Sequence, residues 1–294
     1  MKQEVSQEVL KQIKLIELKS RKLVNTLFGG EYKTSFKGQG MTFSEFREYV
    51  PGDDVRHISW TLTARTGRPH IKKFDEEREM NVLILVDVSG SSYFGSRYYL
   101  KLEAMAQIAA LLGLAATKNR DVVGFGFYSE IIEKFTPFSK SRTQVQRMIR
   151  DVLTLKAQSR KTNLKAATDF ARSVCKKRST IFLIGDLFGV EHETSLRLLS
   201  RKHDVIGVAV NDPLELEPPS LGLIQWVDPE SGESQWVDTD SLAVRDFVKN
   251  TMANLVSERK EVFRKARADL VETHTGEGVL EPIVRFYSQK RRRR

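Results

Sequence analysis

The chain has 294 residues, of which 40% are hydrophobic and 29% are charged, enough to bury the core of one large domain or two small ones. A single cysteine, Cys175, excludes a disulfide framework and any zinc site built from several thiolates. Half of the formal net charge of +10 comes from the five cations at positions 290–294, so the rest of the chain is only weakly basic.

The sequence contains no apolar run close to the ~20 residues that span a bilayer, and its first residues lack the apolar core of a signal peptide. We therefore expect a cytoplasmic protein. The basic residues 290–294 are expected to form a solvated terminus. Weak contact of this tail with phosphates or with an anionic lipid surface is the alternative.

Residues 5–28 are predicted to form an amphipathic helix, because apolar side chains recur at steps of three and four residues from Val9 to Leu27. The run is too short for a coiled coil, so we expect this helix to dock onto its own domain. Gly29 and Gly30 end it. Residues 31–79 combine turn sequences, aromatic residues and charges of both signs, which predicts an irregular or β-rich segment.

From residue 80 onward, short and continuously apolar runs alternate with helical patterns. The runs lie at residues 81–86, 122–127, 181–184 and 205–210, and the helical patterns at residues 100–117, 141–155, 163–176 and 193–201. Continuous hydrophobicity indicates strands that are buried on both faces, as in a parallel sheet covered by helices. The alternation predicts an α/β fold with a doubly wound, mostly parallel sheet.

The C-terminal part is predicted to contain a hairpin, because two Gln-Trp-Val runs flank the turn sequence of residues 228–232. A long helix over residues 241–270 and a short helix ending in the basic tail are expected to follow. The chain is thus expected to divide into an N-terminal helix (1–30), a segment packed on the core (31–79), an α/β domain (80–275) and a C-terminal helix with the tail (276–294).

Oxygen-bearing side chains lie next to the predicted strands and helices, at the edge of the sheet where ligands bind in open α/β folds. Three follow the first buried strand, one precedes the helix at residue 163, and one follows the strand at residues 181–184: Asp87, Ser89, Ser91, Thr162 and Asp186. Carboxylates and hydroxyls are hard ligands that suit Mg²⁺ and not zinc or copper. Each group alone also fits a helix-capping turn, but together they favour a magnesium site that an outside carboxylate can complete.

The spacing Asp87-x-Ser89-x-Ser91, with Thr162 and Asp186 on later loops, resembles the metal-ion-dependent adhesion site of von Willebrand factor type A domains. This resemblance implies a von Willebrand type A-like fold with Mg²⁺ at these five residues. The sequence departs from the pattern at two places. Lys161 stands where these loops often carry Gly, so a cation beside the metal is expected to weaken its binding, and residues 187–189 replace a glycine-rich turn.

The segment before the first buried strand is similar to the signature of the family catalogued as domain of unknown function 58. The similarity rests on Gly38-x-Gly40-x-x-Phe43 and on the string Gly-Asp-Asp-x-Arg-x-Ile-x-Trp at residues 52–60, and it extends over nearly the whole chain. Ser59 departs from the family pattern, which usually has Asp there. The resemblance implies an adaptor or co-chaperone of a MoxR-type AAA+ ATPase, acting in the assembly or maturation of protein complexes.

The charged and aromatic residues of this signature have two interpretations. They form either an internal network of ion pairs and hydrogen bonds that fixes the segment to the sheet, or a partner-binding surface. The first is favoured, because arginine pairs bidentately with carboxylates and paired charges tolerate partial burial. The residues concerned are Arg47, Asp53, Asp54, Arg56, Trp60, Arg65, Glu77 and Arg78.

Three functions stay open at the level of the sequence. The preferred one is a non-catalytic, metal-dependent interaction module whose cation accepts an Asp or Glu from the ATPase or its client protein. A phosphatase-like hydrolase that uses Asp87 is the second, although its general acid is expected at position 89, which is Ser. Nucleic-acid binding is the third; it rests on the basic tail and the sequence pI of about 9.6, because no recognition motif is present.

Two weaker metal patterns are rejected. The five histidines show no metal-ligand spacing. The run Asp228-x-Glu230-x-Gly232 looks superficially like a calcium loop but lacks its terminal bidentate Glu, so we interpret it as the turn of the hairpin.

Overall fold

The computed structural model describes residues 7–27, 41–76, 79–95, 100–189, 192–276 and 278–292. Two units make up the chain: Lys33–Met80, and Met1–Tyr32 together with Asn81–Arg294. Gly38 and Gly40 of the family signature, and Glu77 and Arg78 of the charged network, lie outside the described residues.

In the smaller unit, two antiparallel strands are connected through a turn and a short helix. The elements are β1 (Met41–Glu48), a 3-10 turn (Val55–His57), α2 (Trp60–Thr66) and β2 (His70–Glu76). The strands pair with Phe43 opposite Phe74 and Glu48 opposite His70. Gly67 ends α2 in a left-handed conformation (φ 72°), which glycine adopts without steric cost. This segment is therefore β-rich, in agreement with its turn and aromatic pattern.

The larger unit contains eight of the described strands. They are β3 (Asn81–Asp87), β4 (Val122–Tyr128), β5 (Ile132–Ser139), β6 (Ser179–Gly185), β7 (Asp204–Asn211), β8 (Leu223–Val227), β9 (Ser234–Asp238) and β10 (Asp269–His274). Strands β8 and β9 form a separate hairpin, and the others form one sheet in the order β10-β7-β6-β3-β4-β5. Only β5 is antiparallel to its neighbour in this sheet. The prediction of an α/β fold with a mostly parallel sheet is confirmed.

Helices pack against the sheet in two groups. The helices are α1 (Gln7–Leu27), α3 (Lys101–Lys118), α4 (Arg142–Thr154), α5 (Leu164–Val174), α6 (Glu193–Ser200), α7 (Pro213–Leu216), α8 (Leu242–Ala266) and α9 (Glu281–Arg292). Helix α3 is buried on nearly every side and packs with α1 and α4, so α1 docks onto the sheet domain. Helices α5, α6 and α8 enclose an apolar cluster that includes Leu83, Leu183 and Phe263. Across the described residues, every helix is too short or too polar to cross a lipid bilayer.

The sequence pattern does not predict strands β5 and β10. Residues 269–274 form β10, whereas the pattern predicts a helix as far as residue 270. Helix α8 ends earlier, at Ala266, because Arg267 takes a left-handed conformation (φ 56°) that interrupts the helical hydrogen bonds. Strands β5 and β10 lie at the two edges of the sheet and mix polar with apolar residues, so they lack the continuous apolar run that marks the central strands.

Strand β3 lies inside the sheet, with β4 on one side and β6 on the other. The chain passes first to β4 and β5, and only later to β6 and β7, so its direction across the sheet reverses at β3. Ligands in open α/β sheets bind at such a switch point, beyond the carboxyl ends of the strands. Because Val86 of β3 lies opposite Ile184 of β6, the loops that follow these two strands are neighbours.

Candidate functional site

The five predicted metal ligands lie together beyond the carboxyl ends of β3 and β6. The Ser89 N–H donates to Asp87 Oδ1 at 2.8 Å, and the hydroxyl oxygens of Ser89 and Ser91 are 3.2 Å apart. The Thr162 hydroxyl oxygen lies 3.4 Å from Asp87 Oδ2. The Ser91 hydroxyl lies close enough to Asp186 to lower the pKa of that carboxyl group. Side chains from three separate loops therefore converge on one small volume.

This set fits a magnesium ion in both chemistry and spacing. Mg²⁺ binds oxygen ligands octahedrally at about 2.1 Å, so neighbouring ligand oxygens lie roughly 3 Å apart. The Ser89–Ser91 and Thr162–Asp87 oxygen pairs, at 3.2 and 3.4 Å, are close to that spacing. Within the described ranges, no three His, Cys, Asp or Glu side chains form a cluster that could hold a metal. The donors here are instead two carboxylates supplemented by hydroxyls.

A buried hydroxyl group lies beside the two carboxylates. Tyr128 ends β4 opposite Asp87, and in the described part of the chain its hydroxyl has no hydrogen-bond partner. Burial and the charges of Asp87 and Asp186 raise the pKa of Tyr128 well above its ordinary value, so the hydroxyl stays protonated. Buried polar atoms of this kind usually pair with an ion or an ordered water, which agrees with a site that takes a polar ligand.

A buried lysine, which sequence patterns did not indicate, contacts the same site. Lys101 begins α3 and is 1% exposed, and its Nζ lies 3.3 Å from Asp186 Oδ2 and 3.0 Å from Glu215 Oε1. Burial alone would lower the pKa of Lys101, but the two carboxylates raise it above its ordinary value, so this residue is a cation. The sequence offered Lys161 as the cation beside the metal. Lys161 is exposed, and the ammonium group that contacts a candidate ligand is that of Lys101.

The two aspartates differ in their electrostatic environments. Burial, together with the charge of Asp186, raises the pKa of Asp87 to about 7. Burial also acts to raise the pKa of Asp186, but the charge of Lys101 and the hydrogen bond from Ser91 outweigh it, so the pKa is lowered. Asp87 is therefore the less compensated of the two charges, and a divalent cation beside it would offset the cost of its burial.

Arg259, on helix α8, fixes the loop that follows β6. Arg259 Nη1 donates to the Asp186 carbonyl oxygen at 2.5 Å, and Nη2 pairs with Glu272 at 2.8 Å. The guanidinium also lies over the Phe188 ring, 4.7 Å from its centroid. Leu187 takes a left-handed backbone conformation (φ 59°) while its side chain is buried in the apolar cluster. Packing on both sides thus stabilises a loop in which residues 187–189 depart from the glycine-rich pattern.

Gly90 lies between two of the candidate ligands, where the chain passes very close to the hairpin β8–β9. Its N–H donates to the Arg160 carbonyl at 2.8 Å, and a Cβ here would overlap the backbone carbonyl of Pro229. We expect Gly90→Ala to lower the free energy of unfolding by about 1–3 kcal/mol, as overpacking does. Chemical denaturation measures this change. Gly276→Ala is the control, because a Cβ there meets only an ordinary contact; equal losses in both variants would contradict the close approach.

The hairpin β8–β9 brings a further carboxylate to the site. Glu230, in the turn of residues 228–232, accepts a hydrogen bond from the Thr162 hydroxyl at 3.0 Å. Beside the hairpin lies an apolar pocket of about 310 Å³ whose lining includes Phe94, Leu214, Pro218, Leu221, Ile224 and Val227. Glu215, which also binds Lys101, forms a polar part of its wall. The pocket therefore adjoins the candidate metal site.

Four charged residues of the family signature form local pairs in the smaller unit. Arg47 Nη2 lies 2.6 Å from Asp53 Oδ1, and Arg56 Nη2 lies 2.7 Å from Asp54 Oδ2. Both pairs bridge positions close together in the chain and both are accessible to solvent, so they contribute little to stability. They order the turn that leads into α2, because Asp54 also caps the 3-10 turn through the Arg56 N–H.

The other members of that predicted set are exposed or lie outside the described residues. Trp60 is 71% exposed, and Arg65 is exposed as well. Glu77 and Arg78 fall in the part of the chain that the structure does not describe. The local ion pairs are thus observed, whereas a network that fixes the segment to the sheet stays a prediction.

Comparison with known proteins identifies relatives of the chain. The family model described as "Protein of unknown function DUF58" matches residues 45–257. A Mycobacterium tuberculosis protein named "Uncharacterized protein Rv1480" is 27% identical over 286 residues, which span 95% of this chain and 89% of the relative. A Mycobacterium avium protein, "Uncharacterized protein MAV169", is 26% identical over 131 residues, 44% of this chain and 77% of the relative.

Two of the solved structures that match the chain come from Bacteroides species. An aerotolerance-related membrane protein from Bacteroides fragilis has a TM-score of 0.50 at 13% identity, covering 73% of this chain and 100% of that one. The conserved hypothetical protein BatB from Bacteroides thetaiotaomicron has a TM-score of 0.49 at 14% identity, covering 72% and 99%. At 13% identity, the likeness to the Bacteroides fragilis structure concerns the fold alone, which is von Willebrand type A-like. Since the family model spans most of its length, from the signature segment into helix α8, the chain belongs to the DUF58 family.

Proposed function

We propose that the chain is a non-catalytic interaction module in which a bound Mg²⁺ accepts a carboxylate from a partner protein. The metal would be held by Asp87, Ser89, Ser91, Thr162 and Asp186. The observation that carries this proposal is the convergence of two aspartates and three hydroxyls at the switch point of the sheet. Neutral hydroxyls leave the ion with few anionic ligands, so an outside carboxylate gains by binding it.

Two contacts within the chain prepare the site to bind a metal and an outside carboxylate. The Ser89 N–H orients the Asp87 carboxylate, and Lys101 partly neutralises Asp186. When bound, the metal supplies a Lewis-acidic position that a carboxylate can occupy. Because Lys101 competes for the charge of Asp186, we expect the ion to bind weakly and to exchange with solvent.

The proposed partner is a MoxR-type AAA+ ATPase or its client protein, either of which would supply the Asp or Glu. This partner class is what the family resemblance implies, and the chain belongs to the DUF58 family. In this proposal the chain acts as an adaptor or co-chaperone in the assembly or maturation of protein complexes.

Thr162→Val tests the proposal, because it removes one ligand hydroxyl and keeps the shape of the side chain. Thr143→Val is the matched control, since Thr143 is exposed at the start of α4. We expect the purified chain and the control to retain the MoxR-type ATPase of the same organism in MgCl₂ and to release it in EDTA. We expect Thr162→Val to retain at most a tenth as much. Equal retention in EDTA, or by Thr162→Val, would exclude a metal-bridged contact.

The same purified proteins also test the two other functions, phosphatase activity and nucleic-acid binding. Phosphatase turnover that is lost in Asp87→Asn would replace the non-catalytic proposal with an enzymatic one. Binding of nucleic acid that weakens steeply with salt would favour the basic tail as the functional element. Against this last function, Lys290 at the start of the tail pairs with Asp269 at 2.6 Å and with Asp204 at 3.4 Å, so its charge is already compensated.

A further inference from the structure

Glu230 is an acidic side chain of the chain itself, and it contacts Thr162, one of the candidate ligands. Its Oε1 lies 3.0 Å from the Thr162 hydroxyl oxygen. The distance of 3.0 Å equals the rough spacing of neighbouring oxygens around Mg²⁺. Glu230 therefore occupies space next to a ligand hydroxyl that a partner's carboxylate would need.

The turn that carries Glu230 is well ordered by its own hydrogen bonds. The Glu230 N–H donates to Asp228 Oδ1, the Ser231 hydroxyl to Asp228 Oδ2, and the Gly232 N–H to the Asp228 carbonyl, all at 2.8 Å. Pro229 packs its carbonyl against Gly90, between the two ligand serines. Asp228 thus organises the turn, and the turn directs Glu230 toward Thr162.

The carboxylate of Glu230 is partly buried and lies within range of the negative charge of Asp186. Burial, and in part the negative charge of Asp186, raise the pKa of Glu230 above its ordinary value, although the hydrogen bonds from Thr162 oppose the shift. A carboxylate that approaches two buried aspartates gains most when a cation lies between them. Because Glu230 Oε1 lies 3.0 Å from the Thr162 hydroxyl oxygen, a cation bound at that hydroxyl would lie beside this carboxylate.

We propose that Glu230 occupies the place of the partner's carboxylate, so that the hairpin β8–β9 closes the metal site until a partner displaces it. This inference rests on the proposed function and adds to it a competitor within the chain. The partner segment must then supply an acidic side chain that binds better than Glu230 does. The hairpin also limits which partners can reach the metal.

The surroundings of the hairpin are compatible with such a displacement. Strands β8 and β9 pair only with each other among the described strands, and most of their residues are exposed or half-buried. An isolated two-stranded hairpin is only marginally stable. The apolar pocket of about 310 Å³ separates part of the hairpin from α7 and Phe94. Because β8 and β9 do not pair with the central sheet, a shift of the hairpin would leave the hydrogen bonds of that sheet intact.

Glu230→Gln tests the inference, with acetate as the probe in the Mg²⁺-saturated full chain. NMR titration gives the acetate affinity, and calorimetry with MgCl₂ alone verifies that metal is bound. We expect acetate to bind at least five-fold more tightly to Glu230→Gln than to the wild type. Glu230→Asp keeps the charge but shortens the reach, so we expect it to show a similar gain. Glu233→Gln, on an exposed residue beside the same turn, should match the wild type.

Three different results would overturn the inference, and each has a different meaning for the metal site. If the wild type binds Mg²⁺ but Glu230→Gln and Glu230→Asp bind acetate no better than it does, the closing role of Glu230 is wrong and the metal site stands. If acetate binding weakens in both variants, Glu230 assists the visiting acid instead of competing with it, and the inference is again overturned. If the wild type binds no Mg²⁺, the proposed function fails and the inference fails with it.

Discussion

Asp87→Asn is expected to abolish the stabilisation of the chain by Mg²⁺. Asparagine keeps the size of the side chain and one oxygen, but it removes the charge that a hard dication requires. In the wild type, Mg²⁺ at about a hundred times its dissociation constant should raise the free energy of unfolding by about 2.7 kcal/mol. In Asp87→Asn we expect an increase close to zero. Denaturation in saturating MgCl₂ and in EDTA measures both values.

In EDTA, the effect of Asp87→Asn on the free energy of unfolding is expected to differ. Asp87 is fully buried beside Asp186, and its raised pKa reports that the charged form is disfavoured there. Without metal, Asp87→Asn should therefore be at least as stable as the wild type, because it removes a buried charge. Asp169→Asn, on an exposed residue of α5, should respond to Mg²⁺ like the wild type. If Mg²⁺ stabilises Asp87→Asn as strongly as the wild type, Asp87 is not a ligand.

Lys101→Met is expected to cause the largest loss of stability among the substitutions considered. The methionine side chain fills most of the same volume, but Asp186 and Glu215 lose their shared cation in a buried environment. Removing one partner of a buried ion pair costs about 3–5 kcal/mol, which corresponds to a fall of roughly 10 °C in the midpoint of thermal unfolding. Calorimetry or thermal unfolding followed by circular dichroism measures it.

Lys165→Met is the matched control for this loss. Lys165 forms an exposed pair with Asp169 at 2.8 Å on α5, and exposed pairs of this kind contribute less than about 1 kcal/mol. Mg²⁺ should restore part of the stability of Lys101→Met, because the ion can replace some of the missing positive charge near Asp186. Equal and small losses in both variants would show that Lys101 is not the buried counter-charge.

The convergence of Asp87 and Asp186 was predictable because both follow continuously apolar runs. Such runs indicate parallel, buried strands, and parallel strands place the residues that follow them at one edge of the sheet. The edge strands β5 and β10 were missed, since they lack this signal and mix polar with apolar residues.

Local sequence patterns did not indicate that Lys101 and Glu230 contact the candidate site. Lys101 contacts acids that are 85 and 114 residues away in the chain, and in the sequence it is an ordinary lysine in the first turn of a helix. Glu230 belongs to a run that fits a hairpin turn, and only the pairing of β8 with β9 and the approach of Pro229 to Gly90 bring it to Thr162. Long-range tertiary contacts, and not local secondary-structure propensities, bring both side chains to the site.

The antiparallel edge strand β5 affects how another chain can attach to this fold. Pro137 has no backbone N–H, and its carbonyl oxygen already accepts a hydrogen bond from Gln144 of α4 at 2.8 Å. The pairing of β5 with β4 is also irregular at two places, next to Phe125 and next to Tyr128. Proline and bulges of this kind prevent an edge from templating a further strand. Recruitment by β-augmentation is therefore disfavoured along this border, which leaves side-chain recognition as the mode of docking there.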